Sequence, residues 1–502
     1  MNTKYISGNT VLKTHSWIIL SLIVLIFAFL CNSCSTKANK GTISGTVTLF
    51  NDIPDYYIEN PMDFSGVTVA LYKTAVLDTT LVRINQQYPQ IGVQITQETE
   101  FDHRNFKPLK VTTTDAIGKF SFPSLTPGDY NLVIWKNEWG IRYICSVKAI
   151  ENENNNIGNI VLYPETIYNS TIVSEPTIFK SDHSYFILTD VNFTSSVEFQ
   201  PRTQIFINPA CIVKFYGAIT TPEFTSPRDM WKITSGKEIY STSQVTMDLD
   251  SYYSSVNFYG DEINLKSGFV RYGSSCISTF NINYNDISYM FFRDCGTAVT
   301  LTVLEGNSNI SYLTILNCLS YGISCRSNLE KSNISLNISH CILNKIKYDG
   351  ASIYINGSYH IENSYFDTMD FAIRTKYCNG YIQHNIFDNN NYYDIYNYII
   401  YNIKNEIHYN IFYNSIIAIK ISGNVNNINY NNFYKTKNRF IDILNSLSPY
   451  STVSSDVNAI NNYWTVEEVS QYLSDAVDDP RCPYHIIYIP KLSNPVNKAG
   501  IQ

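Results

Sequence analysis

Four residues in the second half of the chain, Asp367, Asp388, Arg374 and Lys376, have the types and spacing for acid–base or cation chemistry. Asp367 and Asp388 each lie three residues after a small polar residue, Ser364 and Asn385, in a motif that recurs along the chain. If that recurrence is structural, the two carboxylates stack on adjacent strands about 4.8 Å apart. Like charges so close raise one pKa or recruit a cation, and calcium is the hard ion that carboxylates take. Lys347 and Asp370 share another phase of the motif, and Arg374 and Lys376 lie further along the same repeat. The set reads as an acid pair with a basic flank on one groove. The plainer alternative is that Asp367 and Asp388 end strands at turns, where Asp is a favoured residue.

The elements that must position these side chains are read from the recurrence. Cys295, Cys318, Cys341 and Ser364 follow at intervals of 23 residues, and Asn385, Asn410, Asn431 and Asn462 at 21, 25, 21 and 31. Three residues before them stand Phe292, Ile315, Ile338, Ile361, Ile382, Ile407, Ile428 and Ala459. Two after most of them stands Leu343, Phe366, Phe387, Phe412, Phe433 or Trp464. One short apolar-x-x-small-x-apolar strand per 21–25 residues is the mark of a β-solenoid. Inward Ile and Phe ladders would form its core, and an inward Asn ladder would hydrogen-bond rung to rung. Random low-complexity sequence would not hold this phase, although an AT-rich genome accounts for the wealth of Asn, Ile and 40 Tyr.

Before the repeats, "GTISGTVTLF", "FSGVTVALY" and "VTTTDAIGKFSFPSLTPGDYNLVIW" alternate with period two between Gly and Pro turns, the pattern of an antiparallel sandwich. Phe120 and Phe122 share a face, and Tyr130, Leu132 and Ile134 resume it after the Pro127–Gly128 turn. These strands resemble the carboxypeptidase regulatory-like module, a prealbumin-type sandwich that usually serves as a non-catalytic spacer. The resemblance covers residues 41–163, with an insertion from Leu81 to Lys110. Asp102 and His103 in that insertion read as a solvated pair.

The repeats resemble the right-handed parallel β-helix family. "FILTDVNFTSSVEFQPRTQIFINPACIVKFYG" matches its opening coils, with Pro201-Arg202-Thr203 where Pro-Gly-Thr is usual. "NAINNYWT" and "HIIYIPKLSNP" match its ending, with Thr465 in place of glycine. Thr465 and Glu468 form a capping-box pattern for a short helix carrying Val466, Val469, Leu473 and Ala476 or Val477 on one side. That helix would close the open end of the stack. Asp478 and Asp479 follow it as a turn. The expected fold is therefore all-β: a sandwich over 41–163, a right-handed parallel β-helix over 164–495 with its capping helix, and a tail, 496–502.

At the N-terminus, Lys4 and Lys13 precede the apolar run Trp17 to Leu30, followed by "CNSC". This resembles a bacterial lipoprotein signal over residues 1–34, lipidated at Cys34, with a linker over 35–40. It implies a cell-envelope protein held to a membrane by its N-terminal lipid, at the outer membrane or on the periplasmic side. The remaining nine cysteines form no CxxC metal pattern and read as buried small hydrophobes. A net charge of -7 supplies no basic stripe for nucleic acid.

Many enzymes with the β-helix fold act on acidic glycans, but their motifs ("WIDH", "NTDG", "GHG") are absent here. The reading preferred is a non-catalytic module that binds a polysaccharide or cell-surface component, or stiffens the envelope, with no cofactor unless calcium. The tyrosine-rich "NNNYYDIYNYIIYNIKNE" supports it. The alternative is a divergent polysaccharide lyase or glycoside hydrolase using the Asp367–Asp388 pair.

Overall fold

Alternation of β-branched and small polar residues builds the whole molecule from strands. The computed structural model describes residues 40–52, 63–223, 226–280, 283–303, 305–327, 334–398, 404–422, 427–443, 456–474 and 485–502. The signal segment with Cys34, and Ala476, Val477, Asp478 and Asp479, lie outside them. No helix among the described residues is long and apolar enough to cross a membrane.

Two N-terminal sheets face each other. In one, Gly41–Leu49 lies between antiparallel Lys119–Leu125 and parallel Asn154–Leu162. The other runs Lys110–Thr113, Thr68–Lys73, Gly128–Trp135 and Ile141–Ala149, all antiparallel. Phe120, Phe122, Leu132 and Ile134 meet Ile43, Val47, Val69 and Leu71 between them, on the face that their alternation assigns. Because Lys110–Thr113 is itself a strand, the insertion is residues 74–109.

From residue 166 to 443 the chain winds through about 11 turns of a right-handed parallel β-solenoid. One inward column runs Phe292, Ile315, Leu343, Phe366, Phe387, Phe412, Phe433 and Trp464. Its last rings stack at centroid distances of 5.0, 4.8 and 4.3 Å. A second runs Leu265, Ile287, Ile310, Ile338, Ile361, Ile382, Ile407 and Ile428. The spacing of 23 places Phe292 and Ile315 in the column of Ile338, and the structure corrects this. Cys295 aligns with Cys318 and then with Ile346, whereas Cys341 follows Leu313. The coil from Leu313 to Cys341 is 28 residues long, and its extra length imitates the shorter period with the wrong residues.

Between the second column and the small-residue ladder the chain turns through a single left-handed residue in eight successive coils. Tyr289, Tyr312, His340, Asn363, His384, Tyr409, Tyr430 and Asn461 all have φ between 50° and 59°. Side chains with a Cβ are uncommon there, and neighbour stacking offsets the cost. Tyr289 stacks on Tyr312 at 4.6 Å, and His384 on Tyr409 at 5.2 Å. Arg202 likewise has φ 59°, between Pro201 and Thr203.

The end of the stack is closed by Trp464 on Phe433 and by a single 3-10 turn, Val469–Tyr472, with Val469 and Leu473 buried. The Thr465–Glu468 capping box does not form. Glu468 caps the turn without a side-chain bond, and the Thr465 hydroxyl accepts from the Lys435 backbone N–H instead.

The insertion holds the two halves of the molecule together. Helix α1 (Thr79–Gln87) is N-capped by Asp78, which accepts from the Thr80 and Leu81 N–H groups and pairs with Lys345 of the solenoid. Leu81, Ile84, Ile91 and Ile95 bury Leu316, Ile342, Tyr365 and Ile386 on the solenoid's outer face, and Ile501 of the tail packs beside them. Gly92 passes so close that a Cβ would lie 2.6 Å from Thr314 Oγ1, and its N–H donates to His340 O at 2.7 Å.

Further along, Asp102 and His103 are 5% and 1% exposed, so the solvated-pair reading is wrong. Arg104 donates to both Asp102 oxygens and to the carbonyls of Ser235 and Lys237, 2.7 and 3.0 Å away. Burial pushes the His103 imidazole down to about 4, against the raising field of Asp102.

Candidate functional site

Asp367 and Asp388 are direct register partners on adjacent coils, as their common phase requires. They occupy an outward column that runs Leu316, Asn344, Asp367, Asp388 and Tyr413, beside the column covered by α1. Asp367 is 3% exposed. Asn344 Nδ2 and Thr368 Oγ1 each donate to it at 2.8 Å. Burial, with Asp388 adding to it, holds its carboxyl above the usual range. Asp388 accepts from Tyr365 OH at 3.2 Å and Asn414 Nδ2 at 3.3 Å. A cation stands over the pair that the local spacing does not reveal: Arg83 of α1 donates to Tyr365 OH at 3.4 Å, within the field of both carboxylates.

Arg374 and Lys376 do not flank that pair. They lie past the bend of the same long strand, Tyr365–Gln383, where it pairs with a different strand of the next coil. Arg374 pairs with buried Asp349 at 2.9 Å and lies 3.9 Å over the Phe371 ring. Lys376 lies 4.7 Å over Tyr377, 4.9 Å over Tyr398 and 6.0 Å over Tyr354. Lys347 and Asp370 fall where the register shifts, between Ile346–Met369 and Asp349–Phe371, and Lys347 lies over Tyr348 while Asp370 accepts from Asn391. The expected quartet is thus two sites: a covered acid pair, and an outward aromatic–basic face.

That face has a regular order. One column runs Arg326, Tyr354, Lys376 and Tyr398; the next runs Ser352, Arg374, Tyr396 and Lys420. Cationic and tyrosine side chains alternate at one strand spacing, so Arg326 and Lys376 stand about 10 Å apart with Tyr354 between. Neither Arg326 nor Lys376 forms an ion pair among the described residues, whereas Lys420 pairs with Asp442. A groove of about 380 Å³ opens here, lined by Tyr321, Arg326, Ser327, Ser352, Tyr354 and Tyr377. Its tyrosine faces and hydroxyls suit sugar rings, and its cations suit their acidic substituents.

Two buried carboxylates escape sequence reasoning because each has a partner, Arg374 or Ser415, on the next coil. Asp349 is 0% exposed beside Arg374, and burial raises its pKa. Asp394, also 0% exposed, accepts from Asn390 Nδ2 at 2.8 Å and from Ser415 Oγ, and burial pushes it up to about 8. No group of three or more metal-ligating side chains occurs among the described residues.

The chain is a right-handed parallel β-helix protein with N-terminal sheets clamped to the solenoid by an insertion. No protein family, curated protein or solved structure matches it.

Proposed function

We propose that this is a lipid-anchored protein of the bacterial cell envelope that binds anionic polysaccharide without cleaving it. The observation that carries this reading is the pair Arg326 and Lys376, free of carboxylate partners and set about two strand spacings apart around Tyr354 beside a tyrosine-lined groove. A glycan lying along the solenoid axis would meet a cation, a tyrosine and a cation in turn. The N-terminal sheets are read as a carboxypeptidase regulatory-like spacer, and Cys34 as the lipidation site, facing the outer membrane or periplasm. No cofactor is required, and calcium at Asp367 and Asp388 has a rival in Arg83.

The alternative, a divergent polysaccharide lyase or glycoside hydrolase, draws on the raised carboxyl of Asp367 beside Asp388. Its weakness is access, because Asp367 is buried and Arg83 of α1 lies within the field of both carboxylates. The test is binding of the full-length protein to polyuronate, sulfated and neutral polysaccharides, with and without calcium. Lys376→Ala with Arg326→Ala should weaken acidic-glycan binding at least tenfold and reduce its salt dependence. Unsaturated-uronate absorbance or new reducing ends would make the protein an enzyme. Equal affinity for neutral glycans would remove the role given to the cations.

A further inference from the structure

A second cavity, of about 650 Å³, lies between the Ile141–Ala149 and Asn154–Leu162 strands and the first solenoid coils. Small-molecule sites span about 300–1,000 Å³, so the space suits one or two sugar-sized groups. Its charges are unevenly matched. Asp182 is taken by Arg142 and by Arg202 at 2.8 Å, and Arg202 also holds Asp229 at 3.0 Å. Two lining cations are left outside these ion pairs, Arg228 at the exposed rim and Lys232 on the floor.

Lys232 is the unusual one. Its ammonium meets only the Glu98 carbonyl, at 3.5 Å, and the faces of Tyr143 and Phe269, at 5.9 and 5.8 Å. No carboxylate is within ion-pair distance among the described residues, although the Glu98 side chain lines the same cavity and its field reaches Lys232. Burial holds the Lys232 ammonium below the usual lysine range, and the neighbouring Cys145 thiol, pushed up to about 12, adds no negative charge at neutral pH. A partly desolvated cation without a counter-ion is costly, and an incoming anion relieves that cost. Neutral donors and acceptors stand nearby. Asn159 Oδ1 is occupied by the Thr46 and Thr48 hydroxyls, which leaves its amide nitrogen as a donor. Gln204 donates to Ile141 O at 2.8 Å, which leaves its oxygen as an acceptor.

We propose that this cavity binds an oxyanion-bearing ligand of sugar size, with Lys232 and Arg228 meeting the anion and Asn159 and Gln204 meeting its neutral hydroxyls. The site is separate from the tyrosine-lined groove and does not depend on it. The test is calorimetric titration of the full-length protein with inorganic sulfate, inorganic phosphate and glucuronate, at constant ionic strength set with chloride. Saturable binding of at least one is expected, weakened at least tenfold by Lys232→Gln or Arg228→Gln and unchanged by Lys376→Ala. Tighter glucuronate binding identifies a sugar-borne carboxylate, and tighter sulfate or phosphate binding a free oxyanion. Should Lys232→Gln fail to fold, the rim variant Arg228→Gln decides. The proposal is overturned if none of the three anions binds saturably, or if the affinity is unaltered in every variant that folds.

Discussion

Asn410 Oδ1 accepts two hydrogen bonds from Asn385 on the preceding coil, one from its backbone N–H at 3.0 Å and one from its side-chain amide at 3.1 Å. The same pair of hydrogen bonds links Asn410 to Asn431 and Asn431 to Asn462. Each ladder amide nitrogen also donates to a carbonyl of its own turn and to one on the preceding coil, so both polar side-chain atoms of these asparagines are used. Asn410→Ala should therefore cost about 2–4 kcal/mol, since it strands several buried donors and acceptors at about 1–3 kcal/mol each. Denaturant unfolding measures this, with Asn414→Ala, outside the ladder, as the comparison. A loss below about 0.5 kcal/mol would show that water replaces the ladder.

The free thiols follow from the corrected register. Cys295 and Cys318 are neighbours on adjacent coils, whereas Cys341 stands in the ladder of Ser364 and Asn385, its N–H donating to Ser364 Oγ at 3.0 Å. The cysteines of the described residues are all unpaired, and burial pushes the Cys341 thiol up to about 12. Cys295, Cys318 and Cys341 should resist alkylation in the native protein and react fully after denaturation without a reductant. Forced oxidation should join Cys295 to Cys318 and never either of them to Cys341. A bridge to Cys341, found by peptide mapping, would contradict the register.

How much of this could be read beforehand depends on how local each signal is. The rungs from Cys341 to Asn462 are legible because side-chain direction repeats every two residues and each coil is short, so Ile382 and Phe387 declare their ladders. The adjacency of Asp367 and Asp388 is legible for the same reason. The role of the insertion is not, because Arg83 meets Tyr365 and Asp102 meets Arg271 through contacts that arise only when the insertion docks on the solenoid. Spacing sets Arg374 beside the acid pair because chain distance says nothing of a bend past which the strand pairs with a different strand of the next coil.

If α1 is the clamp that holds the insertion to the solenoid beside the acid pair, a charge in its apolar side should lift it. Ile84 is 0% exposed and packs on the solenoid's outer column. Ile84→Asp should speed hydrogen exchange over residues 79–95 by at least tenfold, while the amides of Ile382 and Phe387 stay protected. Equal loss of protection in the solenoid core would mean that the insertion is part of the core and not a clamp.

The acid pair itself is tested by replacing both members. Asp367→Asn with Asp388→Asn keeps acceptors for Asn344 and Tyr365 and removes the mutual repulsion that helps to raise Asp367. The double variant should bind acidic glycan as the parent does, with stability within about 1 kcal/mol, because Arg83 loses its counter-charges as the repulsion disappears. Loss of calcium-dependent stabilisation in this variant would give the pair to a cation.

Asp394 gives the pH dependence a definite sign. Its folded carboxyl, at about 8, lies above the ordinary 3.8 because the side chain is buried between Asn390 and Ser415. Below pH 4 both the folded and unfolded forms hold the proton, and the stabilising contribution is complete. As pH rises from about 4 to 8 the unfolded form releases the proton while the folded form keeps it, so stability falls until the folded carboxyl ionises. The slope from one such group is at most about 1.4 kcal/mol per pH unit. Asn at this position keeps an acceptor for Asn390 and does not titrate, and its amide N–H donates to Ser415 Oγ, whose own proton goes to Tyr413 O. Asp394→Asn should therefore match the parent near pH 4 and exceed its melting temperature by a margin that widens up to pH 8. Parallel melting curves from pH 4 to 8 measure that margin; a constant difference would mean that the Asp394 carboxyl is already ionised in the folded protein.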